Sequence, residues 1–526
     1  MEFTVFGLGD SAYERFCWAS KMLVRRLLSL GAMEFHPSRH SDEQERFGYE
    51  TALIPWMEEM FETLLTNYPL PDSLQVLPAS QLPSPRITLI TQEEGSIMPF
   101  LPDEPATIYH DAVLIKNQRV TKPDWYQDVR HLTFSFKENL TWAPGDIAVL
   151  HPCAQREDVD ALLERFGWTS MADKPLRIQQ TSSSQPLPAY LLDRPTTLRN
   201  LFTSVLDISS VPRKAFFELL VHFTEDELEI GKLQEFTSLS AEGQDDLYEY
   251  THRVRRTILE VLQDFRHISI PLDYIFDVFP LIRPRQFSIA SSSQYAKQKN
   301  VAPSSTDEPA KSSGTELDLC VAIVSYKTRL KVPRRGLCTT WLASLEPATG
   351  EDHTSATTLR IGIRKGALKV PEPGKDEKIA PVICVGPGTG VAPMRAVIQE
   401  RIVRGEHDNV LYFGCRSAKE DYYYADEWET AAQAGKLTFS VAFSRDQEKK
   451  IYVQDLIEQD AFRIWDLVEK QRASVYISGA SNKMPAAVKA AIKTAAISEG
   501  KLSEEEATKY ISTMEWEGRL YEECWS

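Results

Sequence analysis

"VICVGPGTGVAPMRAVIQER" (382–401) sets Gly386, Gly388 and Gly390 between a run of strand-forming apolar residues and a helical apolar pattern. A glycine turn there serves either tight packing or close approach of the backbone to a pyrophosphate, which the free N–H groups and dipole of the next helix would favour. Outward from it, "NVLYFGC" (409–415), "LTFSVAFS" (437–444) and "SVYISGA" (474–480) alternate with helical segments. Strand followed by helix four times over predicts a doubly wound parallel α/β domain across 376–526, with ligands at the carboxyl ends of the strands. At one such end, "SRDQEKKIYVQ" (444–454) offers Ser444, Arg445 and Lys450, a set suited to a phosphate monoester such as the 2′-phosphate of NADPH. The same residues also read as a solvated loop.

Upstream the texture changes. "AVLIKNQRVT" (112–121), "RHLTFSF" (130–136) and "GDIAVLHP" (145–152) alternate apolar and polar residues, as an antiparallel β-barrel does. From about 155 to 280 the period is helical, clearest in "RKAFFELLVHF" (213–223) and "RRTILEVLQDF" (255–265), which predicts a helical insertion. Strand character returns in "RQFSIASS" (285–292) and "LDLCVAIVSY" (317–326), and the polar stretch Ser293–Gly314 between them reads as a mobile surface loop. Asn67 to Pro105 holds eight prolines and little periodicity, which predicts an extended linker over 67–105. Before it, "MEFTVFGLGDSAYERF" (1–16) reads as strand and glycine turn, followed by a helix over Ala19–Leu30, a short strand near Met33–Pro37 and a helix over Tyr49–Leu65. Residues 1–66 thus supply two strands at most, a partial α/β fragment.

A net charge of −16 repels phosphate backbones and argues against nucleic acid as a partner. Seven cysteines are spread singly without a CxxC pair, so neither a zinc site nor a disulfide framework is expected, and no metal. No apolar run approaches the ~18 residues of a membrane span, and a cytoplasmic protein is expected. The basic stretch Arg253–Arg256 reads as a helix surface.

Two further motifs carry chemistry. "RPRQFSIASSS" (283–293) sets Arg285, Phe287 and Ile289 on one strand face and Gln286, Ser288 and Ala290 on the other; an arginine for phosphate, an aromatic for stacking and a hydroxyl for a ring heteroatom fall close together. Taken alone it is a strand with an aromatic. "RRGLCTTWLA" (334–343) places Gly336 before a helix start, a second phosphate cradle.

In this order, Arg-x-Phe-Ser-x-Ala-Ser, Gly-Leu-Cys-Thr, Gly-Pro-Gly-Thr-Gly-Val-Ala-Pro, Ser-Arg-x5-Tyr-x-Gln and a tryptophan beside the C-terminus resemble the ferredoxin-NADP reductase module of diflavin reductases, over roughly residues 106–526. The resemblance implies an FAD-binding barrel with a helical connecting insertion (106–375, insertion about 155–280) and an NADPH-binding domain (376–526). It assigns FAD to Arg285, Gln286, Phe287, Ser288 and Gly336, Leu337, Cys338, Thr339, and also to Arg255, against the surface reading of that basic stretch. NADPH falls to Gly388, Thr389, Gly390, Ser444, Arg445, Lys450, Ile451, Tyr452, Val453 and Gln454. Trp525 would cover the flavin ring until the nicotinamide displaces it.

As catalytic residues the resemblance points to Ser288, Ser478, Glu523 and Trp525. Ser478, Ala480, Ala487 and Glu523 stand where the microsomal cytochrome reductase has a cysteine and three aspartates, so the roles of Ser478 and Glu523 rest on position. "FGLGDSAYERF" (6–16) resembles the third FMN loop of a flavodoxin-like domain, which implies Leu8, Gly9, Asp10, Ser11, Ala12, Tyr13, Phe16, Cys17 and Glu43 as a partial FMN site. Residues 1–66 then match the C-terminal part of that domain, without its Ser/Thr-rich phosphate loop, and FMN is expected to bind weakly or not at all.

"DISSVPRKAFFELL" (207–220), "YEYTHRVRRTILEVLQDF" (248–265) and "SGASNKMP" (478–485) are nearer to the branch of the family that serves cytosolic iron-sulfur assembly than to the cytochrome reductase. That implies an NADPH-dependent oxidoreductase passing hydride to FAD, then single electrons through FMN to an anamorsin-type iron-sulfur protein. Acceptor specificity like that of cytochrome reductase or methionine synthase reductase, or a non-catalytic scaffold, are the alternatives.

Overall fold

Alternating apolar residues close six antiparallel strands into a nearly complete barrel: Ile108–Arg119 (β1), Val129–Phe136 (β2), Ile147–Leu150 (β3), Arg285–Ser288 (β4), Thr315–Ala322 (β5) and Thr358–Arg364 (β6). The computed structural model describes residues 1–526 except 14, 79, 93–106, 182–185, 193, 239, 302–313, 349–357, 372–378, 482 and 526. Sheet order is β4-β3-β6-β1-β2-β5, and the Ala290 N–H donates to the Asp318 carbonyl at 2.8 Å where the edge strands meet. Leu132, Phe134, Phe136, Leu317, Leu319 and Ile361 fill the interior. Each such side chain contributes about 1.5–3 kcal/mol by leaving water.

Val382–Val385 (β7), Asn409–Cys415 (β8), Thr438–Phe443 (β9), Ser474–Ala480 (β10) and Leu520–Trp525 (β11) form an all-parallel sheet in the order β9-β8-β7-β10-β11. Every residue of β7 and β8 is buried, as expected of strands covered on both faces. β11 is a fifth strand that the sequence reading did not find.

The described residues fall into two units: 1–100, 154–281 and 327–333 in one, and 101–153, 282–326 and 334–526 in the other. The barrel and the parallel sheet share the second. In the first, Phe6–Gly9 pairs in parallel with Arg39–Asp42, and Glu2–Phe3 with Met33–Glu34. Four short strands therefore replace the two expected; Arg39–Asp42 is mostly polar and carries no apolar pattern. The helices run Trp18–Ser29 and Glu50–Asn67, and the first buries none of its residues.

The same unit holds the helical insertion, where a Thr257–Glu260 capping box starts the helix Ile258–Asp264. Two expectations are corrected. Within the proline-rich stretch, Ile87–Thr91 is a strand paired antiparallel with Leu176–Gln180, so that part of the linker is tied to the insertion; residues 93–105 of the linker lie outside the described residues. Ser293–Val301 (α1) is a helix rather than loop, started by the Ser292 hydroxyl accepting from the Tyr295 N–H at 3.1 Å. The rest of the expected loop, 302–313, lies outside the described residues.

Candidate functional site

The glycine turn after β7 lies at the switch point of the sheet, between β7 and β10. Gly388 has φ +58°, and a Cβ on Gly390 would stand 2.1 Å from the Ser478 carbonyl oxygen. Only glycine fits this contact, so the turn presses directly on the end of β10. The helix Val391–Val403 (α3) follows, with its first N–H groups unpaired within the helix. A cavity of about 600 Å³ opens here, lined among others by Gly388, Thr389, Ser444, Tyr452, Gln454 and Trp525.

Of the residues expected to hold NADPH, Ile451 and Val453 also line this cavity. Gly390 is buried behind it, and Arg445 and Lys450 are exposed on the segment leaving β9. The Ser444 and Arg445 N–H groups donate to the carbonyls of Cys415 and Arg416 at 2.9 and 2.8 Å, which anchors the start of that segment to β8.

Residues of this cavity that were not anticipated include Arg416, Gln127, Asp421 and Lys483. Arg416 directly follows β8, donates to the Gln127 side chain at 2.7 Å and lies 4.9 Å from the Tyr126 ring centre. Asp421 accepts from the N–H groups of Arg416 and Ser417 at 3.0 and 2.7 Å. The signal for Arg416 was the one that exposed Ser444 and Arg445, a polar residue at the carboxyl end of a parallel strand.

Three of the four expected catalytic residues meet at the ends of β10, β11 and β4. Ser478 and Glu523 are register partners on adjacent strands. The Ser288 hydroxyl donates to Glu523 Oε1 at 2.6 Å. Burial pushes the Glu523 carboxyl up, and the Ser288 bond opposes this in part. Ser478 Oγ and Glu523 Oε2 are buried without a partner. Each such orphan costs about 1–3 kcal/mol, so the pair suits a ligand that brings its own hydrogen-bonding groups. Trp525, two residues beyond Glu523, is 40% exposed and forms part of the cavity wall.

On β4, Phe287 packs on the barrel core while Ser288 turns to the other face, as strand alternation requires. Arg285 and Gln286 are exposed, and Arg285 Nη1 donates to the Arg283 carbonyl at 2.6 Å. Gly336 caps the helix Leu337–Ser344 (α2), where a Cβ would stand 2.9 Å from both Thr339 Oγ1 and Val324 Cβ. The Thr339 hydroxyl accepts from the Val324 N–H at 3.0 Å, and burial pushes the Cys338 thiol up to about 12. With both side chains turned inward, this cradle presents backbone N–H groups, which fit a pyrophosphate.

Arg255 lies in the other unit, with φ 54°, just before the helix Ile258–Asp264. In that unit Asp10 Oδ1 accepts from Ala12 N–H and Gln44 Nε2, both at 2.8 Å, while the Ser11 N–H donates to Asp42 at 2.9 Å. The Glu43 N–H donates to the Gly9 carbonyl at 2.8 Å, so parallel pairing brings Glu43 to the loop Leu8–Tyr13. Leu8 and Tyr13 are exposed and Phe16 half-buried. Cys17 differs from the expectation: it is buried in a left-handed backbone, its thiol turned to the carbonyls of Gly7 and Ser41.

Comparison with known proteins follows this division. Family models match at residues 1–56 (flavodoxin), 102–302 (FAD binding domain) and 384–490 (oxidoreductase NAD-binding domain). The chain is 39% identical over 538 residues to NADPH-dependent diflavin oxidoreductase 1 of Danio rerio, which covers 100% of this chain and 85% of the relative. Proteins of the same name from Schizosaccharomyces pombe and Cryptococcus neoformans are each 37% identical, covering the whole chain and 85% and 86% of the relative. Among the described residues no helix is long and apolar enough to cross a membrane.

Proposed function

The chain belongs to the NADPH-dependent diflavin oxidoreductases, and from that premise we propose that Ser288, Ser478 and Glu523 form the centre at which NADPH reduces FAD, with single electrons leaving through FMN to an anamorsin-type iron-sulfur protein of the cytoplasm. NADPH supplies the hydride and the two flavins divide its electrons into single steps. The observation that carries the reading is the part-buried Ser288–Glu523 bond beside the partnerless Ser478 hydroxyl, with Glu523 two residues before Trp525 of the cavity wall.

Each residue then has a defined task. Glu523 orients the Ser288 hydroxyl and offers Oε2 to the nicotinamide side, where Ser478 offers a donor. Trp525 shields the flavin ring from water and moves aside for the nicotinamide, since the two rings must approach to about 3–3.5 Å. Arg285, Gln286, Phe287 and the Gly336–Thr339 backbone hold FAD. Gly388–Gly390 hold the NADPH pyrophosphate, and Ser444, Arg445, Lys450 and Ile451–Gln454 hold its adenosine 2′-phosphate end. Leu8–Tyr13, Phe16, Cys17 and Glu43 form the partial FMN site, which holds FMN weakly. Labour is divided accordingly among 1–66, 106–375 and 376–526. The branch-like segments 207–220 and 248–265 support the iron-sulfur acceptor.

Anaerobic mixing of the FAD-loaded chain with NADPH tests the first step, which should bleach the flavin absorbance. Parallel assays with an anamorsin-type iron-sulfur protein and with cytochrome c test the acceptor; faster reduction of cytochrome c would overturn that assignment. No reduction of ferricyanide would favour a scaffold.

A further inference from the structure

The barrel and the parallel sheet each carry half of the proposed reaction centre, and one buried side chain joins them. Arg395 stands one turn into α3, five residues after Gly390. It is 8% exposed, and its guanidinium makes three bonds in different directions. Nη1 donates to the Ala290 carbonyl at 2.7 Å and to Asp318 of β5 at 2.9 Å; Nε donates to Glu427 of the helix Ala425–Gln433 (α4) at 2.8 Å. The Tyr424 ring centre lies 4.8 Å from the guanidinium carbon.

The surroundings repeat the connection. The Ser292 N–H donates to Gln399 Oε1 at 3.1 Å and the Ser292 hydroxyl to Glu400 at 2.6 Å, both on α3. Gln399 Nε2 donates to Glu427 at 2.9 Å, and the Asp318 N–H donates to the Ser291 hydroxyl at 2.9 Å. Residues 290–292 continue directly from β4, so the strand bearing Ser288 and the helix rooted in the Gly386–Gly390 turn are bonded to each other at several points. Apolar packing tolerates small slides, whereas a planar fork between two carboxylates and a carbonyl fixes one placement.

We propose that Arg395 is a positioning residue for hydride transfer: it holds the Gly388–Gly390 turn in register with Ser288, so that the nicotinamide and flavin rings meet at reacting distance. The inference rests on the NADPH-to-FAD reading above. Misplacement by about 1 Å is enough to cost ~100-fold in rate, while cofactor affinity, spread over many contacts, falls far less. A merely structural role would lower FAD content or melting temperature and leave the rate per bound FAD intact.

The test is anaerobic stopped-flow reduction of the FAD-loaded full chain by NADPH, with the rate per FAD extrapolated to saturating NADPH and NADP⁺ affinity measured separately. Arg395→Met should lower the limiting rate ~100-fold with NADP⁺ affinity within about threefold, and raise the primary isotope effect with 4-deuterated NADPH. Arg395→Lys, which keeps the charge and loses the fork, should fall between. A limiting rate for Arg395→Met within about threefold of the wild type overturns the inference. Should that variant not retain FAD, Glu427→Gln and Ser292→Ala each remove one bond of the same connection; wild-type limiting rates in both overturn it equally. An unmutated chain whose FAD NADPH does not reduce would instead defeat the reading of function.

Discussion

Ser288 and Glu523, 235 residues apart in sequence, share a 2.6 Å hydrogen bond that ties the last residue of β4 to the last strand of the parallel sheet. The bond leaves one Glu523 oxygen and the neighbouring Ser478 hydroxyl without partners in the buried interior. Two elements that fold by different rules, antiparallel closure and parallel winding, thus deliver three polar groups to one point.

Removing either partner of that bond should slow FAD reduction more than it weakens NADPH binding. A hydrogen bond to a charged group is worth about 1.5–3 kcal/mol, so Ser288→Ala and Glu523→Gln should each lower the limiting rate by about 10–100-fold. Because burial raises the Glu523 carboxyl above its ordinary value, the wild-type rate should fall on the acid side as this group takes up a proton, with an ionisation above that of an exposed glutamate. Glu523→Gln should lack that limb. Stopped-flow rates across pH for both variants measure this, and an unchanged acid limb in Glu523→Gln would refute the assignment.

Arg445 is exposed beside Ser444 on the segment leaving β9, and on the proposed reading it meets the 2′-phosphate of NADPH. Arg445→Gln should lower kcat/KM for NADPH by about 10–100-fold, the worth of a charge-assisted bond, and leave kcat/KM for NADH nearly unchanged. Steady-state ferricyanide reduction with the two nucleotides compares them directly. Equal losses for both would point to a general defect.

The order of elements was legible wherever one period ran long enough: the alternation of β1, β2 and β5, and the apolar runs of β7, β8 and β10. Strands held by their neighbours rather than by pattern were not. Arg39–Asp42 is polar and exists because Phe6–Gly9 offers a parallel edge, and Ile87–Thr91 sits among prolines but pairs with Leu176–Gln180. At the site, Ser288, Ser478 and Glu523 were legible as positions, but their meeting depends on β11, whose last residues alternate with charges and showed no strand signal. Arg395 was hidden altogether, since an arginine within "APMRAV" reads as the polar face of a helix until the barrel is placed against it.

Gly390 gives a test of the turn that is independent of any nucleotide. A Cβ there would stand 2.1 Å from the Ser478 carbonyl oxygen and 2.7 Å from its carbon, both backbone atoms that cannot rotate away. Gly390→Ala should therefore push the turn off β10, costing about 1–3 kcal/mol of stability as overpacking does. NADPH-driven FAD reduction should drop with it. Gly405→Ala, at a position with open space around the missing Cβ but φ +77°, should cost stability through backbone strain and spare the limiting rate. Urea melts and stopped-flow rates on the two variants separate site damage from general destabilisation.

His131 on β2 links stability to pH through the same buried layer that surrounds Arg395. Its Nδ1 lies 3.1 Å from the Tyr424 hydroxyl, and its Nε2 lies 3.2 Å from Thr133 Oγ1 and 3.5 Å from Asp318. Burial lowers its pKa to about 4; Asp318 and Glu427 oppose this, while Arg395 and Lys116 reinforce it. Between pH 6.5 and about 4 the unfolded chain takes up a proton that the folded chain refuses, so the folded state loses stability as pH falls through that window and gains nothing from this group above it. The full loss is on the order of 3 kcal/mol. In His131→Gln the slope from this residue should vanish: the variant starts below the wild type at pH 7.5, and the gap should narrow steadily toward pH 5. Urea denaturation at pH 7.5, 6 and 5 reads the gap directly, since the other titrating groups are common to both proteins. Curves that stay parallel over that range would show that His131 titrates alike in the folded and unfolded chains, with Asp318 and Glu427 cancelling its burial.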